Sequence, residues 1–243
     1  MDFTFGILTD GKQDEMVAQI IKSIQAENIP HYEILVVGDS HVSGDFIRVI
    51  CNADTEAKQN GRAWVTKKKN IIAQQAQYEN IVFMHDYIEL VSGWYDGWKK
   101  FNELTPTWEV AVNYVLTLEG GRHSDWVLSP YDMWYLFPEL NGKWDLRLAP
   151  DEDALTRFMY ISGGYWVSKK KFAIENLQLE KYGWGESEDV YWSEIVRRKT
   201  KFYFNPNSTV RLLKPGKWQP GEMPMQYVLF LKRMSEWMTK NGH

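Results

Sequence analysis

His85 and Asp86 follow directly on the apolar run Ile81-Val82-Phe83-Met84. An imidazole and a carboxylate released where a buried strand stops can hold a metal ion or a phosphate, because open α/β sheets bind ligands outside the carboxyl ends of their strands. A polar surface loop would produce the same stretch. Lys67, Lys68 and Lys69 form a second group, placed at the start of a segment whose Ile71, Ile72, Ala73 and Ala76 have helical spacing, with Thr66 as its expected N-cap. Cations in a first helical turn oppose the macrodipole by roughly 0.3–1 kcal/mol each, so either an anion such as a diphosphate sits among these lysines or the run is a solvated helix end. Glu188 and Asp189 form a third group behind Ser187. A serine N-cap with acids in the first turn is also ordinary helix construction, so the pair alone does not demand a reaction.

The elements that must position these groups follow from apolar periodicity. Phe3 to Leu8 reads as a buried strand ending in Thr9-Asp10-Gly11. Met16, Val17, Ile20, Ile21 and Ile24 mark one face of a helix that stops at Asn28 to Pro30, and Tyr32 to Val37 is a second strand ending in Gly38-Asp39-Ser40. A strand-helix-strand opening makes the two strands parallel, which puts Asp10 and Asp39 at the same sheet edge as His85 and Asp86. Trp94 to Leu104 predicts a short helix and Val110 to Leu116 a strand. From Glu119 to Asp153, Trp126, Trp134, Tyr135, Phe137 and Trp144 occur without a steady period, and the stretch reads as long ordered binding loops. Phe158 to Val167 is strand-like but broken at Ser162-Gly163-Gly164, where backbone can approach a ligand, and Ser168 is expected to cap a short helix. Val190, Trp192, Ile195 and Val196 continue helically from Asp189. A final helix over Met225 to Met238 is expected to pack Val228, Leu231 and Trp237, with peripheral membrane contact as the alternative.

Composition narrows the class. A chain of 243 residues carrying a net charge of -4 lacks the basic surface a nucleic-acid binder needs. Cys51 is the single cysteine, so no intrachain disulfide forms, and the opening Met1-Asp2-Phe3 has no basic region before an apolar stretch. No apolar run approaches the ~20 residues of a membrane span, and a cytoplasmic location is expected. With 12 Trp, 13 Tyr and 11 Phe, many in polar surroundings, a share of the rings is expected to be partly exposed for stacking.

In sequence order these features resemble the nucleotide-sugar glycosyltransferases of the GT-A fold, most closely the inverting family-2-like group. Thr9-Asp10-Gly11 stands at that family's first turn, Asp39 at its second strand end, and Lys68-Lys69-Asn70 at its Ala-Arg-Asn-type helix start. The Asp-any-Asp metal motif falls on His85-Asp86-Tyr87, the Gly-Gly strand on Gly163-Gly164, and the Gly-Trp-Gly and Glu-Asp acceptor motif on Gly183-Trp184-Gly185 and Glu188-Asp189. The resemblance covers roughly residues 3 to 212.

It implies an α/β, Rossmann-like single domain over residues 1–243, with a mixed, mainly parallel central sheet flanked by helices. Residues 1–104 would bind the nucleotide sugar, and residues 105–243 the acceptor, ending in the C-terminal helix. By the same resemblance Asp39 would meet the base, Thr9, Asp10 and Gly11 would line the nucleoside, and Lys68 or Lys69 the diphosphate. Asp86 and His85 would hold a divalent cation, Mn or Mg, that neutralises the leaving diphosphate. Gly163, Gly164, Trp184 and Gly185 would shape the acceptor site, with Asp189, or Glu188 beside it, as general base. His85 and Tyr87 replace carboxylates of the motif, and Arg211 lies near a metal-binding His of many relatives. Arg211, Lys214 and Lys217 could supply the positive charge instead. The implied reaction is inverting transfer from a nucleoside-diphosphate sugar to a glycan or lipid-linked saccharide, as in polysaccharide biosynthesis. Two other classes compete. A sugar-phosphate nucleotidyltransferase would carry a Gly-rich basic loop after its first strand, which Thr9-Asp10-Gly11 lacks. A carbohydrate-binding protein without catalysis would suit the aromatic content but has no use for lysines and carboxylates gathered at one sheet edge.

Overall fold

The structure, a computed structural model, describes residues 1–51, 64–143, 146–150, 152–215 and 221–242; Trp144 and Lys217 lie outside them. Strand β1 (Phe3–Leu8) shows why the core has two sides. Phe3, Phe5 and Ile7 pack on one face with Val17, Ile20, Ile21 and Ile24 of helix α1 (Asp14–Ala26), while Leu8 joins the core on the other. Gly6 shares that second face. A Cβ there would stand 2.3 Å from Ile72 Cγ2, so helix α2 (Val65–Gln75) rests on bare backbone.

Strands β2 (Tyr32–Val37) and β4 (Asn80–His85) flank β1 in parallel, with Leu8 opposite Val37 on one side and His85 on the other. The three strands end level, so their following turns emerge at one edge. The sheet is completed by β3 (Ile47–Ile50), β5 (Ile88–Leu90), β6 (Val110–Leu116), β9 (Tyr165–Lys169) and β10 (Phe202–Leu212). Its eight strands run in the order β3-β2-β1-β4-β9-β6-β10-β5. The first four are parallel, β9 is antiparallel to both β4 and β6, β10 returns parallel to β6, and β5 closes the edge antiparallel to β10. Mixed, mainly parallel and flanked by helices, this is the architecture the sequence implied. The pairing of β4 with β9 joins the end of the His85 strand to the Gly163-Gly164 turn.

Among the described residues most of the tryptophan is spent on packing rather than display. Trp98 of helix α3 (Trp94–Leu104) is buried between Trp94 and Trp108, and Trp126, Trp166 and Trp192 are buried elsewhere. Trp184 and Trp237 are exposed, at 52% and 59%. Trp237 therefore points away from the core that Val228 and Leu231 of the last helix, α7 (Met225–Lys240), help to fill. The expectation of core packing fails at that one position.

The aperiodic middle is more regular than it read. It holds strand β7 (Val127–Leu128), helix α4 (Pro130–Leu136) and a 3-10 turn at Pro138–Leu140, and β7 pairs with β8 (Met159–Tyr160) in a separate two-stranded sheet. Buried Asp125 orders the entry to this region: it accepts from Arg122 at 2.6 Å and from the Trp126 N–H at 2.6 Å. Elements this short carry too few residues to establish a period. Two expected caps also fail. Thr66 lies inside α2 and donates to the Tyr182 carbonyl at 2.7 Å, and Ser168 lies in β9, one residue before the N-cap of α5 (Lys170–Glu175). Ser187 does precede α6 (Glu188–Val196), but with φ 60 and no side-chain capping bond. Among the described residues no helix is long and apolar enough to cross a membrane.

Candidate functional site

The turns after β1 and β2 interlock. Gly11 has φ +82 and Gly38 φ +133, conformations open to glycine, and a Cβ on either would stand 2.0 Å from the other turn's backbone oxygen, that of Asp39 or Thr9. Lys68 Nζ donates to the Thr9 carbonyl at 2.7 Å. Lys68 is thus buried in support of this turn, neither solvated nor extended toward a ligand. Asp10 is half-exposed; burial raises its pKa, but hydrogen bonds and charge from Lys12 outweigh that and leave it below the usual range. Asp14 fixes the turn after Asp39 by accepting from Ser40 Oγ at 2.6 Å and the His41 N–H at 3.0 Å. Asp86 turns toward this group: its N–H donates to the Leu8 carbonyl at 3.0 Å and its carboxyl meets the Thr9 side chain. Burial raises the Asp86 pKa despite Thr9 and Lys214.

His85 and Tyr87 face the other way, into a cleft of about 570 Å³ that also takes in Gly163, Gly164, Trp184, Gly185, Glu188 and Asp189. The backbone gathers these distant segments, since the His85 N–H donates to the Gly164 carbonyl at 3.0 Å and the Gly163 N–H to Asp189 Oδ2 at 2.8 Å. Gly163 has to be small. A Cβ there would lie 3.0 Å from Lys69 Nζ and 3.2 Å from Asp189 Oδ2. Beneath it Lys69, 1% exposed, has its ammonium 3.8 Å from Glu188 Oε1 and no hydrogen-bond partner among the described residues. Burial, and more weakly the nearby Asp189, raise the Glu188 pKa; Lys69 opposes them.

Two groups that look ionisable stay neutral here. Burial, with the positive charges of Lys69, Lys214 and Lys68, holds His85 down at about 3. Burial, with Asp86, Glu188 and Asp189, pushes Tyr87 up to about 12. Near neutral pH the Asp-any-Asp position therefore presents an uncharged imidazole and an uncharged phenol.

Those groups do not fit a hard divalent cation. Among the described residues no group of three or more His, Cys, Asp and Glu is placed to hold a metal ion. His85 and Asp86, the pair expected to share one, part company: His85 lines the cleft, its Nε2 without a hydrogen-bond partner among the described residues, while Asp86 meets Thr9. Arg211 does not join the site either. It is paired with Glu89 across the β5–β10 ladder, its Nε donating to Glu89 Oε1 at 3.0 Å. Lys214, three residues on, does line the cleft.

His123, Ser124 and Tyr160 also line it, and the sequence reading passed over all three. They come from the aperiodic middle and from a strand of only two residues. The run Gly120-Gly121-Arg122-His123-Ser124-Asp125 was the available signal.

No protein-family model matches the chain, and no curated protein is similar to it in sequence. Solved structures are similar in fold. A structure of GalNAc-T7 with UDP, GalNAc and Mn2+ superposes with TM-score 0.61 at 14% identity, over 96% of this chain and 48% of that one. The mannosyltransferase PcManGT from Pyrobaculum calidifontis, in complex with GDP-Man and Mn2+, does so with TM-score 0.54 at 14% identity, over 88% of this chain and 57% of that one. The chain has the GT-A fold. It spans about half the length of the two chains it resembles.

Proposed function

We propose that this chain transfers a sugar from a nucleoside-diphosphate sugar to a hydroxyl of a glycan or lipid-linked saccharide, with inversion at the anomeric carbon. The observation that carries the reading is Asp189: a carboxylate oriented by the Gly163 N–H, in the cleft that begins where β4 ends. The similar structures were solved with UDP or with GDP-Man, which supports a nucleotide sugar as donor. The turns Thr9-Asp10-Gly11 and Gly38-Asp39 would receive the nucleoside at the level edge of β1 and β2, as residues 1–104 were expected to do.

Asp189 takes the proton from the acceptor hydroxyl as that oxygen attacks the anomeric carbon, and the bond to the diphosphate oxygen breaks on the opposite side. A carboxylate has about four acceptor positions, so Oδ2 can hold the Gly163 N–H and still accept this proton. Trp184, half-exposed at the rim with Gly185 beside it, offers the acceptor sugar a ring to stack on. Glu188 acts as the counter-charge of Lys69 rather than as the base, since its carboxyl is buried and Lys69 lies 3.8 Å away.

The test is to incubate the chain with UDP-, GDP- and dTDP-sugars and short saccharide acceptors and to measure release of the nucleoside diphosphate. Release that depends on acceptor, with a product of inverted configuration, is expected. Binding of saccharide without turnover of any donor would favour the non-catalytic reading.

A further inference from the structure

We infer that Lys214 supplies the positive charge that takes up the leaving diphosphate, so that donor binding needs no divalent cation. This rests on the donor reading above and adds the group that neutralises the leaving phosphate. Its first support is the donor set itself. The two cleft-facing positions of the metal motif are His85 and Tyr87, an imidazole and a phenol where the motif has carboxylates, and the motif's one carboxylate, Asp86, is engaged with Thr9 instead. A cation held by such a set would lack the anionic oxygens that Mn or Mg requires.

The second support is where Lys214 stands. Its ammonium lies 3.8 Å from the centroid of the Tyr87 ring, and the residue lines the cleft with Leu212 and Pro215. The placement is built rather than incidental: the Leu213 N–H donates to the Tyr87 carbonyl at 2.8 Å, which locks the segment after β10 onto the motif. Leu212 is in register with Ile88 in the antiparallel β10–β5 pair, which sets Leu213 opposite Tyr87 and Lys214 one residue past it. No carboxylate pairs with Lys214 among the described residues, whereas Arg211 is already committed to Glu89. A compact ammonium on a flexible stem, resting on an aromatic face at a cleft wall, can reach a phosphate oxygen and give up only a weak contact to do so.

The experiment is calorimetric titration of the full chain with UDP, GDP and dTDP, in EDTA and again in Mn2+, for the wild type and for Lys214→Ala and Lys214→Arg. At least one diphosphate is expected to bind in EDTA, with an affinity that Mn2+ changes less than twofold. Lys214→Ala should weaken it at least tenfold, Lys214→Arg should restore most of it, and the corresponding nucleoside, which has no phosphate, should bind both variants as it binds the wild type. Thermal unfolding confirms that the variants are folded. Binding that requires Mn2+, or binding unchanged in Lys214→Ala, overturns this inference and leaves the donor reading standing. Absence of binding by all three diphosphates in both conditions overturns the donor reading and the inference together.

Discussion

The Gly163 N–H donates to Asp189 Oδ2 at 2.8 Å, and this bond joins two segments 26 residues apart in the chain. It makes the Gly-Gly turn the orienting element for the carboxylate at the start of α6. A Cβ at position 163 would press on Lys69 Nζ at 3.0 Å and on Asp189 Cβ at 3.3 Å, so one of them must shift by a few tenths of an ångström. Gly163→Ala is expected to lower turnover by about tenfold or more through misplacement of Asp189. Steady-state rates beside a thermal melt check this. Wild-type turnover in a folded variant would mean that Asp189 tolerates displacement and that its orientation matters less than argued.

Glu188 and Asp189 are expected to separate by what they disturb. Glu188→Gln removes the counter-charge 3.8 Å from an ammonium that is 1% exposed and has no hydrogen-bond partner among the described residues. A stability loss of up to about 3 kcal/mol is expected, read from denaturant unfolding, with turnover changed much less than in a variant of Asp189. A variant of unaltered stability and collapsed turnover would instead make Glu188 the base.

His85 gives the site a pH signature in stability. Its ordinary value is 6.5 and burial with three nearby lysines holds it at about 3 in the folded chain. Between those values the unfolded chain takes up a proton that the folded chain refuses. The contribution is therefore intact above pH 6.5 and is lost as pH falls toward 3, by up to about 1.4 kcal/mol per pH unit. His85→Gln cannot take up that proton, so its stability should decline less steeply than wild type over this window. Denaturant unfolding at a series of pH values measures both slopes, and parallel slopes would mean that His85 is protonated in the fold.

The strands and the level edge were legible because each is a long apolar run that stops at a turn. The strands Phe3–Leu8, Tyr32–Val37 and Val110–Leu116 fall where the apolar runs placed them, and the helix Trp94–Leu104 where its ring spacing did. So was the gathering of Gly163, Gly164, Glu188 and Asp189 with His85, through the order of the motifs. What periodicity could not show was the direction of a side chain past the end of a strand. Asp86 and His85 are adjacent yet diverge, and Lys68 and Lys69 turn inward to Thr9 and Glu188 although a lysine run ordinarily signals solvent. Arg211 and Lys214 were equivalent as sequence. Register made them different, by setting Arg211 opposite Glu89 and releasing Lys214 over Tyr87.

The most direct measurement compares turnover with nucleoside-diphosphate affinity in Asp189→Asn. Asparagine keeps an oxygen to accept from the Gly163 N–H but cannot take the proton of an acceptor hydroxyl. If Asp189 is the base, turnover falls by ~10²- to 10⁴-fold while the affinity for UDP or GDP stays within about twofold of wild type. Near-normal turnover in this variant would contradict the claim and take Asp189 out of the chemistry.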